Sequence, residues 1–205
     1  MPRPKQIPNI YQLKISLKEA KPPIWRRVLV NADIPLSDLH WVIQLSMGWT
    51  NSHMHQFNHH GRLFGEPMND IYCDDLKTEN EADTQLSQLL TTEKDRLGYE
   101  YDFGDSWSHA ISLEKILPPN PEQPLPYCIK GKGACPPEDC GGIWGYMNWV
   151  EALNDPEHED HEDAVEYYGD EISDPDHFDL KVTNKALKTL KTHQILSSNM
   201  PSMMA

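Results

Sequence analysis

Two stretches of alternating polar and apolar residues constrain the fold of this chain more than any other feature. Ile10 to Leu17 alternates, and Ile24 to Val30 resumes the alternation after a double proline. Further along, Leu97 to Phe103 places aromatic residues at 99, 101 and 103, and Trp107 to Ile116 alternates again after the turn at 104–106. A period of two is typical of strands with one buried face. We therefore predict two antiparallel β-hairpins.

Helical periodicity is found in separate stretches between and after these hairpins. Leu39, Val42, Ile43 and Met47 form one apolar stripe, with Ser37 as the expected N-cap and Gly48 as the end of the helix. Further segments are predicted as a strand at 53–59, a loop at 65–85, a short helix at 86–90, a proline-rich linker at 118–126, and helices at 143–153, 162–168 and 184–196.

This order predicts an α+β fold with a mostly antiparallel sheet built from hairpins and packed by segregated helices. Hairpins place consecutive strands side by side, whereas a parallel sheet would need helical crossovers between them. We expect one domain over residues 1–196 and a flexible C-terminal tail over 197–205.

Charge and composition restrict the function classes. The net charge of -14 disfavours nonspecific binding to duplex nucleic acid. However, seven of the eight charged residues in 1–30 are basic, whereas 151–179 contains thirteen acids and no Lys or Arg. No apolar run approaches the roughly 20 residues of a membrane helix, and no secretory signal is visible. We therefore expect a cytoplasmic protein, without disulfides among Cys73, Cys128, Cys135 and Cys140.

Several motifs together resemble one known family. They are Pro22–Arg27, Met47–Phe57, Tyr99–His109 and Ala134–Tyr146, and they occur in order along the chain. The chain resembles the plasmid pRiA4b open-reading-frame-three-like family, whose relatives include passenger proteins of insertion elements. The resemblance implies an α+β fold and a link to mobile elements. It implies no particular activity and no catalytic residues.

Three cysteines form the first candidate site. Cys128, Cys135 and Cys140 are separated by six and four residues, and thiolates bind zinc tetrahedrally. A fourth ligand would come from His109 or His55. The alternative is three small thiols that pack a proline-braced loop.

Carboxylates and a histidine form the second candidate. Asp102 and Asp105 flank the glycine of the predicted turn, and His109 lies on the returning strand. Glu138 and Asp139 would face them across a cleft if the loop around 134–146 folds against the hairpin. Such groups can act as general acids and bases or hold a metal. Alternatively, the aspartates cap turn amides.

Histidines and aromatic residues supply the third set. His53, His55 and His59 share one face of a strand, which is a geometry that can chelate a metal or line a wet groove. A ligand-binding groove would use Trp49, His53, His55, Tyr101, Trp107, Trp144 and Tyr146. The tract from Pro156 to Asp163 has a metal-binding composition, but a solvated acidic helix start explains it better.

These candidates leave three functional hypotheses open. The first is a ligand-binding or protein-binding domain with a polar groove, with zinc as a possible stabilising cofactor. The second is a metal-assisted hydrolase that uses Asp102, Asp105, His109, Glu138 and Asp139. The third is a nucleic-acid accessory protein that acts through Arg3, Lys5, Arg26 and Arg27.

Overall fold

A computed structural model describes residues 7–66, 78–170, 172 and 174–190. Cys73, Arg3, Lys5 and the predicted tail at 197–205 lie outside these residues. None of the helices in the described part of the chain is both long enough and apolar enough to cross a bilayer.

In the described residues, eight strands form one sheet, in the spatial order β5-β4-β3-β6-β7-β1-β2-β8. The strands are β1 (Ile10–Leu17), β2 (Trp25–Asn31), β3 (His55–His59), β4 (Arg62–Gly65), β5 (Thr78–Asn80), β6 (Arg96–Tyr101), β7 (Trp107–Leu117) and β8 (Tyr127–Lys132). All neighbouring pairs are antiparallel except β4 and β5. The predicted α+β class and both predicted hairpins are therefore confirmed.

The part of the chain that the structure describes also contains five α-helices: α1 (Leu36–Met47), α2 (Leu86–Leu89), α3 (Gly142–Asn154), α4 (His161–Tyr168) and α5 (Leu180–Leu187). The apolar stripe of α1 is buried, and Gly48 ends the helix with φ +118. The predicted cap at Ser37 is wrong, because the helix begins one residue earlier, at Leu36, with Pro35 before it and no side-chain cap.

One face of the sheet is buried against the helices. Leu13, Ile15, Val28, Ile111 and Leu113 are fully buried and belong to one hydrophobic core together with the stripe of α1. The residues between them point to the opposite face, as the pleat requires. The sheet therefore has one covered face and one open face.

One predicted loop contains a strand, and another strand follows the predicted linker where none was expected. Residues 65–85 include β5 and a 3-10 helix at Glu81–Asp83, although 67–77 lie outside the description. β8 follows the proline-rich linker and pairs with β2 across a register shift between Arg27 and Val28. A three-residue strand and a strand with a bulge carry too little alternation to be recognised in the sequence.

Candidate functional site

The turn between β6 and β7 is held together by Asp102. This residue is buried and has a φ of +58. Its Oδ1 accepts hydrogen bonds from the amides of Gly104, at 2.9 Å, and Asp105, at 3.3 Å. Its own amide donates to the carbonyl of Met54 at 2.8 Å. One carboxylate oxygen therefore fixes the turn, and Oδ2 remains for a further partner.

The loop around residues 134–146 packs directly against this turn. The amide of Gly141 donates to Oδ2 of Asp105 at 3.2 Å, and a Cβ added at Gly142 would overlap the carbonyl oxygen of Asp105. The hydroxyl of Tyr101 donates to Glu138. The indole of Trp49 donates to the carbonyl of Pro136 at 3.0 Å. The expected contact between the hairpin and the cysteine loop is present. A glycine at 142 allows the backbones of the loop and the turn to approach this closely.

This contact brings together His53, Asp102 and Asp139, which we call the tip cluster. Nδ1 of His53 lies 3.6 Å from Oδ2 of Asp102, and Nε2 lies 3.3 Å from Oδ1 of Asp139. One ligand atom from each residue lies within 4.8 Å of the other two. Nε2 of His53 is shielded from solvent but has no partner with hydrogen-bond geometry. The cluster thus holds an imidazole ring between two carboxylates, and the ring nitrogen on the side of Asp139 is unsatisfied.

Backbone strain is concentrated around the tip cluster. Asn51, Asp102, Ser106 and Asp139 all have φ between +55 and +59, and all belong to the segments that build the cluster. Positive φ costs a residue with a side chain of the order of 1–3 kcal/mol, and such residues collect at ligand-binding and catalytic sites. The strain is therefore consistent with a functional role.

The donor set fits a divalent transition metal. Imidazole and carboxylate ligands bind Zn²⁺ and related ions at about 2.0–2.2 Å, and two carboxylates balance the charge of one such ion. A protonated His53 would bridge the same carboxylates without a metal. The chemistry of the cluster thus allows either a cation or a proton between its acids.

The other predicted catalytic residues have different roles. Asp105 caps the amide of Gly141, and Glu138 accepts from both Tyr101 and Thr50. His109 does not face the tip cluster at all. It is fully buried, its Nδ1 lies 2.8 Å from the carbonyl of Trp107, and burial lowers its pKa to about 3.

The placement of His109 beside the acids was therefore wrong. Its strand alternates strictly, so His109 shares the inward face of Trp107 and Ile111. The histidine that lies beside the acids is His53, which the sequence analysis grouped with His55 and His59. His53 lies beside Asp102 because the neighbouring residues His55 and Tyr101 pair between β3 and β6. The sequence gives no local sign of this pairing.

The proposed zinc ligands are not gathered either. Among the residues that the structure describes, no three ligand atoms from Cys128, Cys135, Cys140 and His109 lie within 4.8 Å of one another. Cys128 lies on β8, where its sulfur contacts the carbonyl of Lys130 at 3.5 Å. Burial raises the pKa of the Cys135 thiol, which opposes the thiolate form that zinc needs. The geometry therefore supports the packing interpretation of these cysteines.

Most of the predicted groove aromatics lie inside the protein. Trp49, Tyr101, Trp107 and Tyr146 are at most 6% exposed, and only Trp144 is open to solvent, at 69%. Large aromatic side chains gain most from burial, so they anchor the core beneath the tip cluster and do not line a groove above it. The acidic tract at 156–163 likewise contributes no group of metal ligands among the described residues.

A second set of histidines surrounds Tyr99, and we call it the inner cluster: His40, His55 and His109. All three rings lie within 6.0 Å of the Tyr99 ring, measured between centroids. His40 and His55 stack at 3.5 Å. Nε2 of His55 lies 2.8 Å from Oε2 of the buried Glu81.

Hydrogen bonds complete the inner cluster on the side of His40. Its Nε2 donates to Oδ1 of Asn51 at 2.8 Å, so its Nδ1 accepts from the hydroxyl of Tyr99, also at 2.8 Å. Gln44 donates to the same hydroxyl at 3.1 Å. Burial and the neighbouring His55 lower the pKa of His40 to about 3. Our sequence reasoning missed His40, Tyr99 and Glu81, because nothing local distinguishes them from ordinary core residues.

Of the candidate nucleic-acid arginines, the two that the structure describes lie on opposite faces of the sheet. Arg26 is buried, donates to the carbonyls of Ser46 and Lys132, and stacks on Phe178. Because it is buried, Arg26 cannot contact a phosphate, and the expectation that it binds nucleic acid is wrong. Arg27 is on the open face, where it forms a bidentate pair with Glu114.

Comparison with known proteins finds relatives of the same size. An uncharacterized protein, y4hQ of Sinorhizobium fredii, is 38% identical over 185 residues, which cover 90% of this chain and 93% of the relative. The crystal structure of MM3350, a protein of unknown function from Methanosarcina mazei, superposes with a TM-score of 0.75 at 38% identity, covering 86% of this chain and 98% of that one. The model of the plasmid pRiA4b ORF-3-like protein family matches residues 9–182. The chain therefore belongs to the plasmid pRiA4b ORF-3-like family.

Proposed function

We propose that the protein is a metal-dependent ligand-binding domain, in which the tip cluster holds a divalent cation and the cation holds the ligand. One observation carries this proposal: the imidazole ring of His53 lies between the carboxylates of Asp102 and Asp139, and its solvent-shielded Nε2 has no hydrogen-bond partner. Buried polar atoms without partners are rare in native proteins and need an explanation. A bound cation would satisfy all three groups at once.

The coordination sphere would remain open on one side. Three protein ligands leave one or more positions of a transition metal for water or for a ligand atom. Asp102 lies on the buried side of the cluster, whereas the side chain of Asp139 is 76% exposed. The free positions would therefore face solvent beside Asp139, where a ligand can enter.

Exposed apolar residues lie near the cluster residues in the chain. Met54 and Phe103 follow His53 and Asp102 directly in the chain and are 57% and 44% exposed, and Trp144 lies in the first turn of α3, two residues after Gly142. Exposed large apolar side chains near a polar site often mark a binding surface. A ligand that combines a metal-binding oxygen group with an apolar part suits this arrangement.

Metal titration tests the proposal directly. The protein is treated with EDTA and dialysed, and Zn²⁺, Mn²⁺ and Mg²⁺ are then titrated into it by calorimetry. We expect one cation per chain, with Zn²⁺ or Mn²⁺ preferred over Mg²⁺ because of the imidazole ligand. The double variant His53→Gln with Asp139→Asn should bind the preferred ion at least about tenfold more weakly, because it loses two ligands.

A matched control separates a specific site from general acidity. His177→Gln with Asp163→Asn removes the same two residue types at exposed positions outside the cluster. This control should bind metal like the unmodified protein. An absence of stoichiometric binding, or an equal loss in both double variants, would contradict the proposal.

Metal-assisted hydrolysis is the second candidate function. The exposure of Asp139 beside the buried Asp102 favours it, because a cation held by His53, Asp102 and Asp139 would have a side open to solvent and would supply an activated water as a nucleophile. Hydrolysis of 4-nitrophenyl phosphate and 4-nitrophenyl acetate by the metal-loaded protein would show turnover that the double variant lacks. Stoichiometric metal binding without turnover of either ester would leave the binding function and remove this candidate for those two ester classes.

A further inference from the structure

The open face of the sheet carries a row of basic residues. Register places Arg96, Ser112, Lys14, Arg27 and Lys130 side by side on five adjacent strands, β6, β7, β1, β2 and β8. Both neighbours of Lys14 in the chain, Leu13 and Ile15, are fully buried on the other face, so Lys14 points outward. Strands are about 4.8 Å apart, so the row extends over roughly 19 Å.

A groove runs beside this row. It has a volume of about 530 Å³ and is lined by Gln12, Arg27, Lys94, Arg96, Ser112, Leu113, Glu114 and Lys115. Four of its lining residues are cations and one is an acid. The chain as a whole has a net charge of -14, so the charge of the groove lining is opposite in sign to that of the whole chain.

Most of these cations are not neutralised by the protein itself. Glu114 pairs with Arg27, at 2.5 and 2.7 Å, and also accepts from Gln12 at 2.7 Å. Within the described part of the chain, no acid lies within ion-pair distance of Lys14, Lys94, Arg96, Lys115 or Lys130. Like charges that lie this close together repel one another, which favours an external anion.

An aromatic side chain accompanies the row. Trp25 lies on β2 on the same face, with the charged groups of Lys14 and Arg27 at 5.2 and 5.1 Å from its ring. Aromatic rings beside a basic track are the elements that bind single-stranded nucleic acids, because bases stack on the ring and phosphates contact the cations.

We propose that this open sheet face binds single-stranded nucleic acid. The phosphates of one strand would follow the row from Arg96 to Lys130, and a base would stack at Trp25. A line of four cations spread across five adjacent strands suits an extended polyanion better than a small ion, which would need cations that converge on one point. A duplex fits poorly, because its major groove admits a helix or a two-stranded ribbon but not the face of a broad sheet.

Binding of labelled oligonucleotides tests this proposal. Fluorescence anisotropy is measured at 50 mM salt with twelve-nucleotide oligo-dT and oligo-U, and with a twelve-base-pair duplex. The double variant Lys14→Glu with Arg96→Glu reverses two charges of the row without removing a core contact. We expect its single-strand affinity to fall about tenfold or more, and the slope of log K against log salt to fall in magnitude by about 1.4, which corresponds to two lost phosphate contacts.

The control variant carries the same change in net charge. Lys185→Glu with Lys188→Glu reverses two exposed cations at the end of α5, which packs against α1 on the covered side of the sheet. It should bind the oligonucleotides like the unmodified protein. The proposal is overturned by an absence of single-strand binding at 50 mM salt, by an equal loss in both variants, or by tighter binding of poly-glutamate than of oligo-dT. The last result would assign the face to an acidic protein partner.

Discussion

The tip cluster and the inner cluster contain the same kinds of side chain, yet they differ in their access to solvent and in what lies beside their unsatisfied nitrogen. In the inner cluster, both nitrogens of His40 have protein partners and Glu81 is paired with His55, while Nε2 of the fully buried His109 has no hydrogen-bond partner. In the tip cluster, Nε2 of His53 also has none, but it lies 3.3 Å from the exposed carboxylate of Asp139. An unsatisfied polar group that borders solvent is available to a ligand, whereas one enclosed in the core is not. The protein thus uses histidine and carboxylate for structure in one place and keeps them accessible in another.

Acid should destabilise the protein through the inner cluster, and this is the largest effect that we expect. Burial holds the pKa of His40 and His109 at about 3 in the folded protein, below their ordinary value of 6.5. The unfolded chain therefore binds protons between pH 6.5 and 3 that the folded chain does not bind. Stability that is fully present above pH 6.5 is lost as the pH falls, at up to about 1.4 kcal/mol per pH unit for each histidine.

Urea unfolding between pH 7 and 5 measures this loss. The two histidines together predict a decrease of about 4 kcal/mol in the free energy of unfolding by pH 5. His40→Gln should reduce the slope by about half, whatever it does to the stability at pH 7. The exposed His177 serves as the control, because His177→Gln should leave the slope unchanged. Equal stability at pH 7 and pH 5 would contradict the assignment of the inner histidines as buried and neutral.

The close contact between the hairpin turn and the cysteine loop determines whether the tip cluster exists. Gly142 has a φ of +65, and an added Cβ would overlap the backbone of Asp105. Gly142→Ala should therefore cost about 3 kcal/mol from combined backbone strain and overpacking. It should also displace Asp139 from His53 and weaken metal binding, because the loop would have to move away.

A second glycine separates these two causes. Gly61 has a φ of +85, but an added Cβ would have no atom within 4 Å. Gly61→Ala should therefore cost only about 1 kcal/mol and should leave metal binding intact. Stability is measured by urea unfolding. Equal losses in the two variants would show that the positive φ, and not the contact with Asp105, requires a glycine at 142.

Local sequence patterns predicted the strands better than they predicted the site. Alternation identified β1, β2, β6 and β7 to within one or two residues, because each strand buries one face against the same core. The same alternation places His109 inward with Ile111, so that error was avoidable from the sequence alone. The proximity of His53 to Asp102 and Asp139 was not predictable from the sequence. It depends on the register between β3 and β6 and on a loop contact over more than 30 residues, and neither leaves a local pattern.

Tyr99 tests whether the inner cluster is structural. Tyr99→Phe removes a hydroxyl that donates to His40 and accepts from Gln44, and so it leaves two buried groups without a partner. We expect a loss of about 2 kcal/mol in the free energy of unfolding, with unchanged metal binding. Tyr167→Phe is the matched control, because Tyr167 is 64% exposed, and it should have little effect. A stability equal to that of the unmodified protein would mean that the network around Tyr99 is not needed for folding.

Asp139→Asn should have the smallest effect on stability and is the sharpest contrast with Tyr99→Phe. The side chain of Asp139 is 76% exposed, and in the absence of metal its carboxylate adds negative charge beside Asp102. In EDTA, the free energy of unfolding should change by less than about 0.5 kcal/mol, as is usual for exposed positions. With saturating metal, the unmodified protein should gain stability by mass action and Asp139→Asn should gain less. An equal gain in the two proteins would place the cation elsewhere and would remove the distinction between an open cluster and a closed one.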